Sequence, residues 1–170
     1  MLSSEHSFTQ SSNVRIRSAT LADVSAIVAV TNAAFAIETF IDGTRTDEDH
    51  LTLQMQTGSF LVAQDPSGDV LASVYIEIRG KRRYFGMLAV DPAHQRQGLG
   101  LAMVQAAEDH CRKQGCTAMD LLVLSLRPEL LPFYRKRGYI EMATEEFHPS
   151  QPLKAGFECH CIVMSKVLGE

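Results

Sequence analysis

Apolar and polar residues follow each other with two different periods along the chain, and each period predicts its own kind of element. Apolar and polar residues alternate at residues 14–19, which predicts a first strand. Three further runs rich in apolar residues follow at residues 59–64, 69–78 and 84–90, with short turns between them. These three runs predict an antiparallel meander.

Two helices are predicted between the first strand and the meander. The first, residues 21–36, begins where Thr20 and Asp23 have the spacing of a capping box. The second, residues 47–56, has Thr46 as its predicted N-cap. The glycine and the polar residues of "IDGTRT" interrupt the helical pattern between them.

The clearest helical period in the chain begins at residue 99. Apolar and small side chains recur there at intervals of three and four residues, which predicts one buried stripe. The stripe consists of Leu99, Ala102, Met103, Ala106, Ala107 and His110. Glu108 and Arg112 fall off this stripe, four residues apart, at the spacing of an ion pair along a helix.

The remaining segments complete an order in which strands and helices are mixed. Residues 118–126 form an almost continuous apolar run, which is typical of a strand buried on both faces. Residues 127–138 predict a short helix with Pro132 in its first turn, and residues 139–147 and 157–168 predict two final strands. The order therefore predicts the α/β class, with a mixed sheet of about seven strands and about four helices.

Composition and charge narrow the class of protein without naming a function. The chain has 170 residues, 45% of them hydrophobic, which fits a single domain at residues 14–170 behind a flexible tail at residues 1–13. A net charge of -4 offers no basic face for nucleic acid, and no apolar run approaches the length of a membrane span. The first residues lack the pattern of a secretion signal, so a cytoplasmic location is expected.

The four cysteines are expected to be reduced thiols, since no secretion signal precedes them. Cys159 and Cys161 lie close to His148 in the sequence, but their spacing matches no paired metal-binding pattern. No metal site is therefore expected.

The stretch "QRQGLG" (residues 95–100) stands between a predicted strand and the clearest helix. The N-terminus of a helix has unpaired backbone N–H groups and a partial positive charge, and glycines there let an anion approach closely. The stretch is neither a P-loop nor a dinucleotide fingerprint, since no Lys-Ser/Thr pair follows and Met103 stands at the third glycine position. Taken alone, it fits a phosphate loop and a tightly packed turn equally well.

The order of motifs around this loop resembles that of the GNAT superfamily of N-acetyltransferases. Gln95, Gly98 and Gly100 match the superfamily's Q/R-x-x-G-x-G/A loop, "MLAVDPAHQ" leads into it, and "FYRKRGY" follows about 30 residues after the helix. The resemblance extends over residues 14–168. It implies a GNAT-like, mostly antiparallel central sheet and one acetyltransferase domain.

The resemblance also implies a donor and the residues that hold it. Family members bind acetyl-CoA as a co-substrate, use no metal in this step, and move its acetyl group to an amine by direct attack in a ternary complex. The implied phosphate cradle consists of Gln95, Arg96, Gln97, Gly98, Leu99, Gly100 and Leu101. The implied pantetheine-binding strand segment, which splays from its neighbour in this family, consists of Leu88, Ala89 and Val90.

The resemblance assigns a residue to some of the family's catalytic roles but not to all of them. Tyr134 stands where the family places its general acid, with packing against CoA as the alternative role. The carboxylate base of some relatives falls at Tyr84, so a water chain held by Tyr84 and Glu77 is one hypothesis and an ordinary exposed Glu77 is the other. Arg127 stands near a position where many relatives have a cofactor-binding Asn.

The acceptor stays unnamed. The resemblance places its site between residues 35–50 and 148–158, and the first of these segments is rich in acidic residues. These carboxylates either attract a cationic amine or serve as helix-start charges. A catalytically silent acyl-CoA-binding or sensing module, and a structural domain with a coincidental glycine turn, are the alternatives to an enzyme. The sequence does not decide whether the chain forms a homodimer through its terminal strands.

Overall fold

One mixed sheet organises the fold in the computed structural model, which describes residues 13–149 and 151–169. The strands are β1 Arg15–Ser18, β2 Gly58–Gln64, β3 Val70–Arg79, β4 Arg82–Val90, β5 Ala118–Leu124, β6 Ile140–Glu146 and β7 His160–Val167. Their order in the sheet is β1-β2-β3-β4-β5-β7-β6. Every neighbouring pair is antiparallel except β4 and β5, which are parallel. The predicted mixed and mostly antiparallel α/β class is confirmed.

The helices are α1 Val24–Phe35, α2 Glu48–Thr57, α3 Leu99–Lys113 and α4 Leu130–Arg135. The predicted tail lies outside the described residues except for Asn13. None of the helices in the described part of the chain has the length and hydropathy of a membrane span.

The two faces of the sheet are covered by different helices. Phe60 and Val62 of β2 face α1 and α2, where they pack in one cluster with Ile27. Their neighbours Leu61 and Ala63 face the other side and join the larger cluster around α3. This alternation follows from strand geometry, in which successive side chains point to opposite faces of the sheet.

The capping box predicted for the first helix is confirmed, whereas the N-cap predicted for the second is not. The first helix opens with a 3-10 turn at Leu21–Asp23, in which the carboxylate of Asp23 accepts the backbone N–H of Thr20 at 2.8 Å. At α2 the predicted N-cap was wrong by one residue. Asp47 caps this helix, because its carboxylate accepts the backbone N–H of His50 at 2.8 Å.

The buried stripe of α3 is rotated from the predicted one. The fully buried positions are Met103, Val104, Ala107, Glu108 and Cys111. Glu108, which the sequence placed off the stripe, is only 4% exposed and accepts the Nζ of Lys166 at 2.9 Å and the hydroxyl of Tyr139 at 3.0 Å. Lys166 and Tyr139 stand 58 and 31 residues away along the chain, so the local period could not include them. The predicted ion pair of Glu108 with Arg112 is present at 3.8 Å.

Strands β4 and β5 pair only at their first residues and then separate. The paired residues are Arg82 with Ala118, Arg83 with Met119, and Tyr84 with Asp120. Beyond them β4 has a register shift against β3, and Met87 adopts a positive φ of 52°. A bulge of this kind redirects a strand and ends its pairing. The result is the open cleft between two neighbouring strands that the resemblance implied.

Candidate functional site

A cavity of about 910 Å³ fills the opening between β4 and β5. Its lining includes residues from both strands' surroundings, the glycine loop and α4: Glu38, Arg45, Tyr84, Leu88, Val90, Gln95, Arg96, Gly98, Arg127 and Tyr134. Backbone at the end of β4, the start of α3 and the side chains of α4 therefore face one common space.

The glycine loop is open toward this cavity. Gly98 has φ +80° and accepts the first N–H of the helix, that of Ala102, at 3.0 Å. A Cβ built on Gly98 meets no atom within 4 Å, and one on Gly100 meets only Val90 and Phe133, at 3.8 and 3.9 Å. Tight packing therefore does not explain these glycines. The loop leaves the N-terminus of a 15-residue helix accessible from the cavity.

Backbone strain concentrates at the same place. In the described part of the chain the only non-glycine residues with positive φ are Met87, in the bulge of β4, and Arg96, in the loop, at 52° and 64°. Such conformations are disfavoured for residues with a side chain and persist where the surrounding structure holds them. One lies in the strand and the other in the loop that together border the cavity.

Gln95 ties the loop to the strand. Its side-chain Nε2 donates to the backbone carbonyl of Val90 at 3.1 Å. This carbonyl is one of the groups that the splayed strand would offer to a ligand. Gln95 thus satisfies it in the structure and holds the loop at a fixed distance from β4.

Some predicted site residues do not line this cavity. Ala89 is fully buried and pairs with Ser73 of β3. Gln97 and Leu99 border a second cavity of about 410 Å³ next to the loop. Glu77 lies directly opposite Tyr84 in the register of β3 and β4, hence on the same face of the sheet, but it pairs with Arg79 at 3.6 Å.

Tyr134 reaches the cavity from α4 and is 7% exposed. Its ring lies among three other rings, those of Phe133, Phe85 and Tyr139, with centroids at 5.0, 6.0 and 6.0 Å. Burial raises the pKa of this phenol above its ordinary value. The hydroxyl therefore keeps its proton at neutral pH.

Tyr84 lies along β4 toward the bulge. A Cβ on Gly86 would come within 2.4 Å of the Tyr84 hydroxyl, so this glycine leaves the room in which the tyrosine lies. The guanidinium of Arg79 stacks on the ring at 4.3 Å from its centroid. Burial raises the pKa of Tyr84 to about 12. The sequence placed Tyr84 and Tyr134 in one site, and both line the cavity.

Sequence reasoning missed a charged cluster in the cavity wall. Glu38, only 5% exposed, pairs with Arg127 at 3.0 Å and with Arg45 at 3.4 Å. Burial raises the pKa of Glu38, although both arginines lower it. The sequence analysis considered Arg127 and the acidic segment 35–50, which contains Glu38, separately. The separation of 89 positions along the chain concealed the pair.

The two segments expected at the acceptor site contact each other. Ile41 forms an isolated β-bridge with Leu153, and the backbone N–H of Lys154 donates to the carbonyl of Phe40 at 2.9 Å. The acidic residues Asp47 and Glu48 stand at the start of α2, as in the helix-start interpretation. In the parts of the chain that are described, no group of three or more His, Cys, Asp or Glu side chains is arranged to hold a metal.

Comparisons with known proteins agree with this geometry. Residues 25–150 match the family model described as the acetyltransferase (GNAT) domain. A mycothiol acetyltransferase from Propionibacterium freudenreichii subsp. shermanii is 27% identical in an alignment of 141 residues, and the match covers 78% of this chain and 45% of that protein. A probable glucosamine 6-phosphate N-acetyltransferase 2 from Oryza sativa subsp. japonica is 28% identical in an alignment of 137 residues, and the match covers 75% of each chain. The chain thus spans less than half the length of the first of these relatives.

Two solved structures have the same fold. The ribosomal-protein-S18-alanine N-acetyltransferase from Escherichia coli superposes with a TM-score of 0.77 at 19% identity, over 92% of this chain and 95% of that one. A phosphinothricin acetyltransferase from Sinorhizobium meliloti, in complex with AcCoA, gives 0.72 at 19% identity, over 93% and 90%. At such identities the likeness concerns the fold.

Proposed function

The chain belongs to the acetyltransferase (GNAT) domain family, and on that premise we propose that it is an N-acetyltransferase that uses acetyl-CoA to acetylate a primary amine of a small molecule or a peptide. One observation carries the proposal. The open glycine loop of α3, the splayed end of β4 and the protonated Tyr134 all border one cavity.

The chain offers a place for each part of the donor. Backbone N–H groups from Gln95 to Leu101, at the positive end of α3, would hold the pyrophosphate, with the side chain of Arg96 in the cavity beside them. The edge of β4 at Leu88 and Val90, which does not pair with β5, would bind the pantetheine arm, with Gln95 occupying the carbonyl of Val90. A backbone donor there, aimed at the acetyl oxygen, would also stabilise the negative charge that develops on it, typically by ~3 kcal/mol.

Two proton transfers complete the proposed reaction. The amine loses a proton and attacks the acetyl carbon directly in the ternary complex, and the thiolate that leaves takes up a proton. Tyr134 would donate the second proton, since burial keeps its hydroxyl protonated. For the first, Tyr84 would hold the water that accepts it, with Glu77, opposite Tyr84 on the same face, as the outer carboxylate.

The test joins a binding and a turnover measurement. Calorimetry with acetyl-CoA, CoA and dephospho-CoA is run beside thiol release over a panel of amines. Tight binding with amine-dependent release supports the enzyme. Binding without release on any amine favours a silent acyl-CoA-binding module, and absence of binding refutes the assignment of the loop.

Tyr134→Phe isolates the proposed acid. Thiol release should fall by about 10²-fold while acetyl-CoA affinity is kept, because general acid catalysis typically contributes a factor of this size. Tyr75→Phe is the matched control, since Tyr75 is 3% exposed and lies in the cluster under α1 and α2. Since burial raises the pKa of Tyr134, wild-type release should not decline between pH 7 and about 9.5 through loss of its proton. Equal rates in both variants would reduce Tyr134 to a packing residue.

A further inference from the structure

We propose that the imidazole of His50, on α2, takes up the proton that the acceptor amine must lose before it attacks. The inference rests on the proposed function and deepens it, since it names the final proton acceptor for the same reaction. In that function a water held by Tyr84 accepts the proton first, and His50 is the group to which this water passes it.

His50 lies in the wall of the cavity, whereas the carboxylate behind Tyr84 does not. The side chain of His50 is partly buried and lines the cavity together with Tyr84. Glu77 is not among the lining residues, and its carboxylate pairs with Arg79 at 3.6 Å. A base must lie within hydrogen-bond reach of the proton that it takes, directly or through one water. His50 meets this condition from inside the cavity, and Glu77 contributes its charge from behind.

The helix places His50 close to the bulge of β4. Gln54 follows His50 by four residues on the same face of α2, and both line the cavity. The Nε2 of Gln54 donates to the Sδ of Met87 at 3.2 Å. Met87 is the bulged residue that directly precedes Leu88, where the proposed function places the acetyl oxygen. His50 therefore lies about 5 Å along α2, one helical turn, from the contact with the bulge, a separation that one water can bridge.

Thr46 holds the imidazole through its Nδ1. The Oγ1 of Thr46 lies 3.2 Å from the Nδ1 of His50 and 3.4 Å from the backbone carbonyl of Asp47. Asn32 of α1 holds the backbone of Thr46 at both ends. It accepts the N–H through Oδ1 and donates to the carbonyl through Nδ2, both at 3.0 Å. Since Thr46 is also only 3% exposed, its hydroxyl has a fixed position.

This arrangement leaves the Nε2 of His50 for the ligand. The Thr46 hydroxyl has one proton, and the carbonyl of Asp47 only accepts. With that proton on the carbonyl, the contact with His50 is made by an N–H at Nδ1, and Nε2 carries a lone pair. Within the described residues Nε2 has no hydrogen-bond partner, and Thr46 does not line the cavity. The lone pair of Nε2 is therefore available to the water or to the amine.

The proton balance of the reaction needs such a group. An aliphatic amine has a pKa of about 10, so it enters as an ammonium with three protons. The first proton goes through the water to Nε2 of His50, and the imidazolium later releases it to solvent. The nitrogen lone pair then forms the C–N bond, and the C–S bond breaks with its electron pair going to sulfur. Tyr134 gives a proton to the sulfur, the second proton of the nitrogen replaces it, and the third stays on the amide.

The charged groups that share the cavity with His50 come from every element around it. They are the carboxylates of Glu38, Glu145 and Glu146 and the guanidinium groups of Arg45, Arg96, Arg127 and Arg137. On its own helix the acidic residues are Asp47, Glu48 and Asp49, of which Asp47 accepts the backbone N–H of His50 at 2.8 Å. Tyr84, Tyr134 and Cys161 stay neutral, since burial raises the pKa of each. Carboxylates favour an imidazolium and guanidinium groups oppose it, so the test compares wild type with variants.

The experiment measures kcat for thiol release from pH 5 to 9, with acetyl-CoA and the best amine of the panel. In wild type, kcat should rise with pH through a limb between pH 5 and 8, the range in which imidazoles titrate. His50→Asn keeps a side-chain N–H for Thr46 but has no base at the place of Nε2. This variant should lose the limb and about 10²-fold of kcat at pH 7, with acetyl-CoA affinity kept.

His148→Asn is the matched control for this change. His148 also lines the cavity, but its side chain is 81% exposed and lies 3.7 Å from the carboxylate of Glu146. The control should keep both the rate and the limb. Thr46→Val should lower kcat with the limb retained, because Thr46 acts by positioning the ring, and Thr46→Ser should restore the rate.

An aminooxy analogue of the same acceptor separates a base from a residue that only binds the acceptor. Its nitrogen is unprotonated at neutral pH and needs no base before it attacks. His50→Asn should therefore lower kcat for this analogue by less than about threefold. A lost binding contact would lower the rates of both acceptors alike. Melting temperatures are measured for every variant, and His50→Gln serves as a second variant if His50→Asn does not fold.

Two results would overturn the inference alone. They are an unchanged rate and limb in the His50 variants, and equal losses for the amine and its aminooxy analogue. A limb that disappears in Glu77→Gln but persists in His50→Asn would assign the proton to Glu77 and leave the proposed function intact. Absence of thiol release by wild type on every amine would refute the proposed function and, with it, the role of His50.

Discussion

Glu38 and Glu108 are buried to the same degree, at 5% and 4% exposed, and each has two cationic side chains within 4 Å. Their surroundings differ. Glu108 lies in the interior between α3 and β7, where Lys166 at 2.9 Å and the hydroxyl of Tyr139 at 3.0 Å both donate to it. Glu38 lines the cavity, and its partner Arg127 is shared with Glu129.

The comparison separates two uses of a buried ion pair. Short hydrogen bonds from two donors saturate Glu108, which joins the helix behind the glycine loop to β7 and to the turn after α4. Glu38 has longer and shared contacts, and burial raises its pKa in spite of two arginines. The first arrangement holds the wall of the site together. The second keeps cations at a surface that a ligand can reach.

The largest difference in the free energy of unfolding is expected between the variants that neutralise Glu108 and Glu38 one at a time. Glu108→Gln should lower the free energy of unfolding by about 2–4 kcal/mol, because it leaves the ammonium of Lys166 without its carboxylate. Glu38→Gln should change it by less than about 1 kcal/mol, because neutralising this side chain removes its burial cost together with its ion pairs. Urea unfolding at pH 7.5 measures both. Equal losses of unfolding free energy in the two variants would mean that an ion pair contributes the same stability whether it lines a cavity or lies in the interior.

A smaller effect on the free energy of unfolding is expected when the hydroxyl of Tyr139, which donates to Glu108, is removed. Tyr139 is 1% exposed, and burial, with the charge of Glu108, raises its pKa, so it donates as a neutral phenol. Tyr139→Phe keeps the ring contacts with Phe85 and Tyr134 and should cost about 1 kcal/mol of unfolding free energy.

The double variant with Glu108→Gln makes this prediction sharper. Since both changes act on one hydrogen bond, their costs should not add. Additive costs would show that Glu108 and Tyr139 stabilise the wall independently of each other.

This comparison also shows which features the sequence could predict. The meander, the glycine loop and α3 depend on periods and turns within a few residues, and all three were predicted at nearly their observed positions. The capping residue of α2 was wrong by one position because Thr46 and Asp47 are both good caps, and only the hydrogen bond to His50 decides between them.

Both buried carboxylates escaped the prediction for one reason. An ionisable residue is expected at the surface unless its partner is known. The cations at the shortest distances from Glu38 and Glu108, which are Arg127 and Lys166, come from distant segments. At Glu108 this error rotated the predicted stripe of α3. At Glu38 the same error meant that its two arginine partners in the cavity were not predicted, although Arg45 is only seven residues from Glu38 along the chain.

The smallest expected effect is on the pH dependence of stability. Here Glu38, whose pKa is raised, is compared with Asp23, whose pKa is lowered. Burial raises the pKa of Glu38 above its usual 4.5, so the folded state binds this proton more tightly than the unfolded state does. The stability that this proton adds is fully present below pH 4.5 and is lost as the pH rises through the folded pKa. Wild type should therefore gain stability relative to Glu38→Gln when the pH falls from 7.5 to 4.5.

Asp23 provides the control with the reverse sign. The hydrogen bond from Arg17, above all, lowers the pKa of Asp23 from 3.8 to about 2. The stability it adds is present above pH 3.8 and is lost as the pH falls toward 2, so Asp23→Asn should keep a constant deficit from pH 7.5 to 4.5 and a smaller one at pH 3. Urea midpoints at these three values test both variants. A constant difference between wild type and Glu38→Gln would mean that the arginines compensate fully for the burial of Glu38.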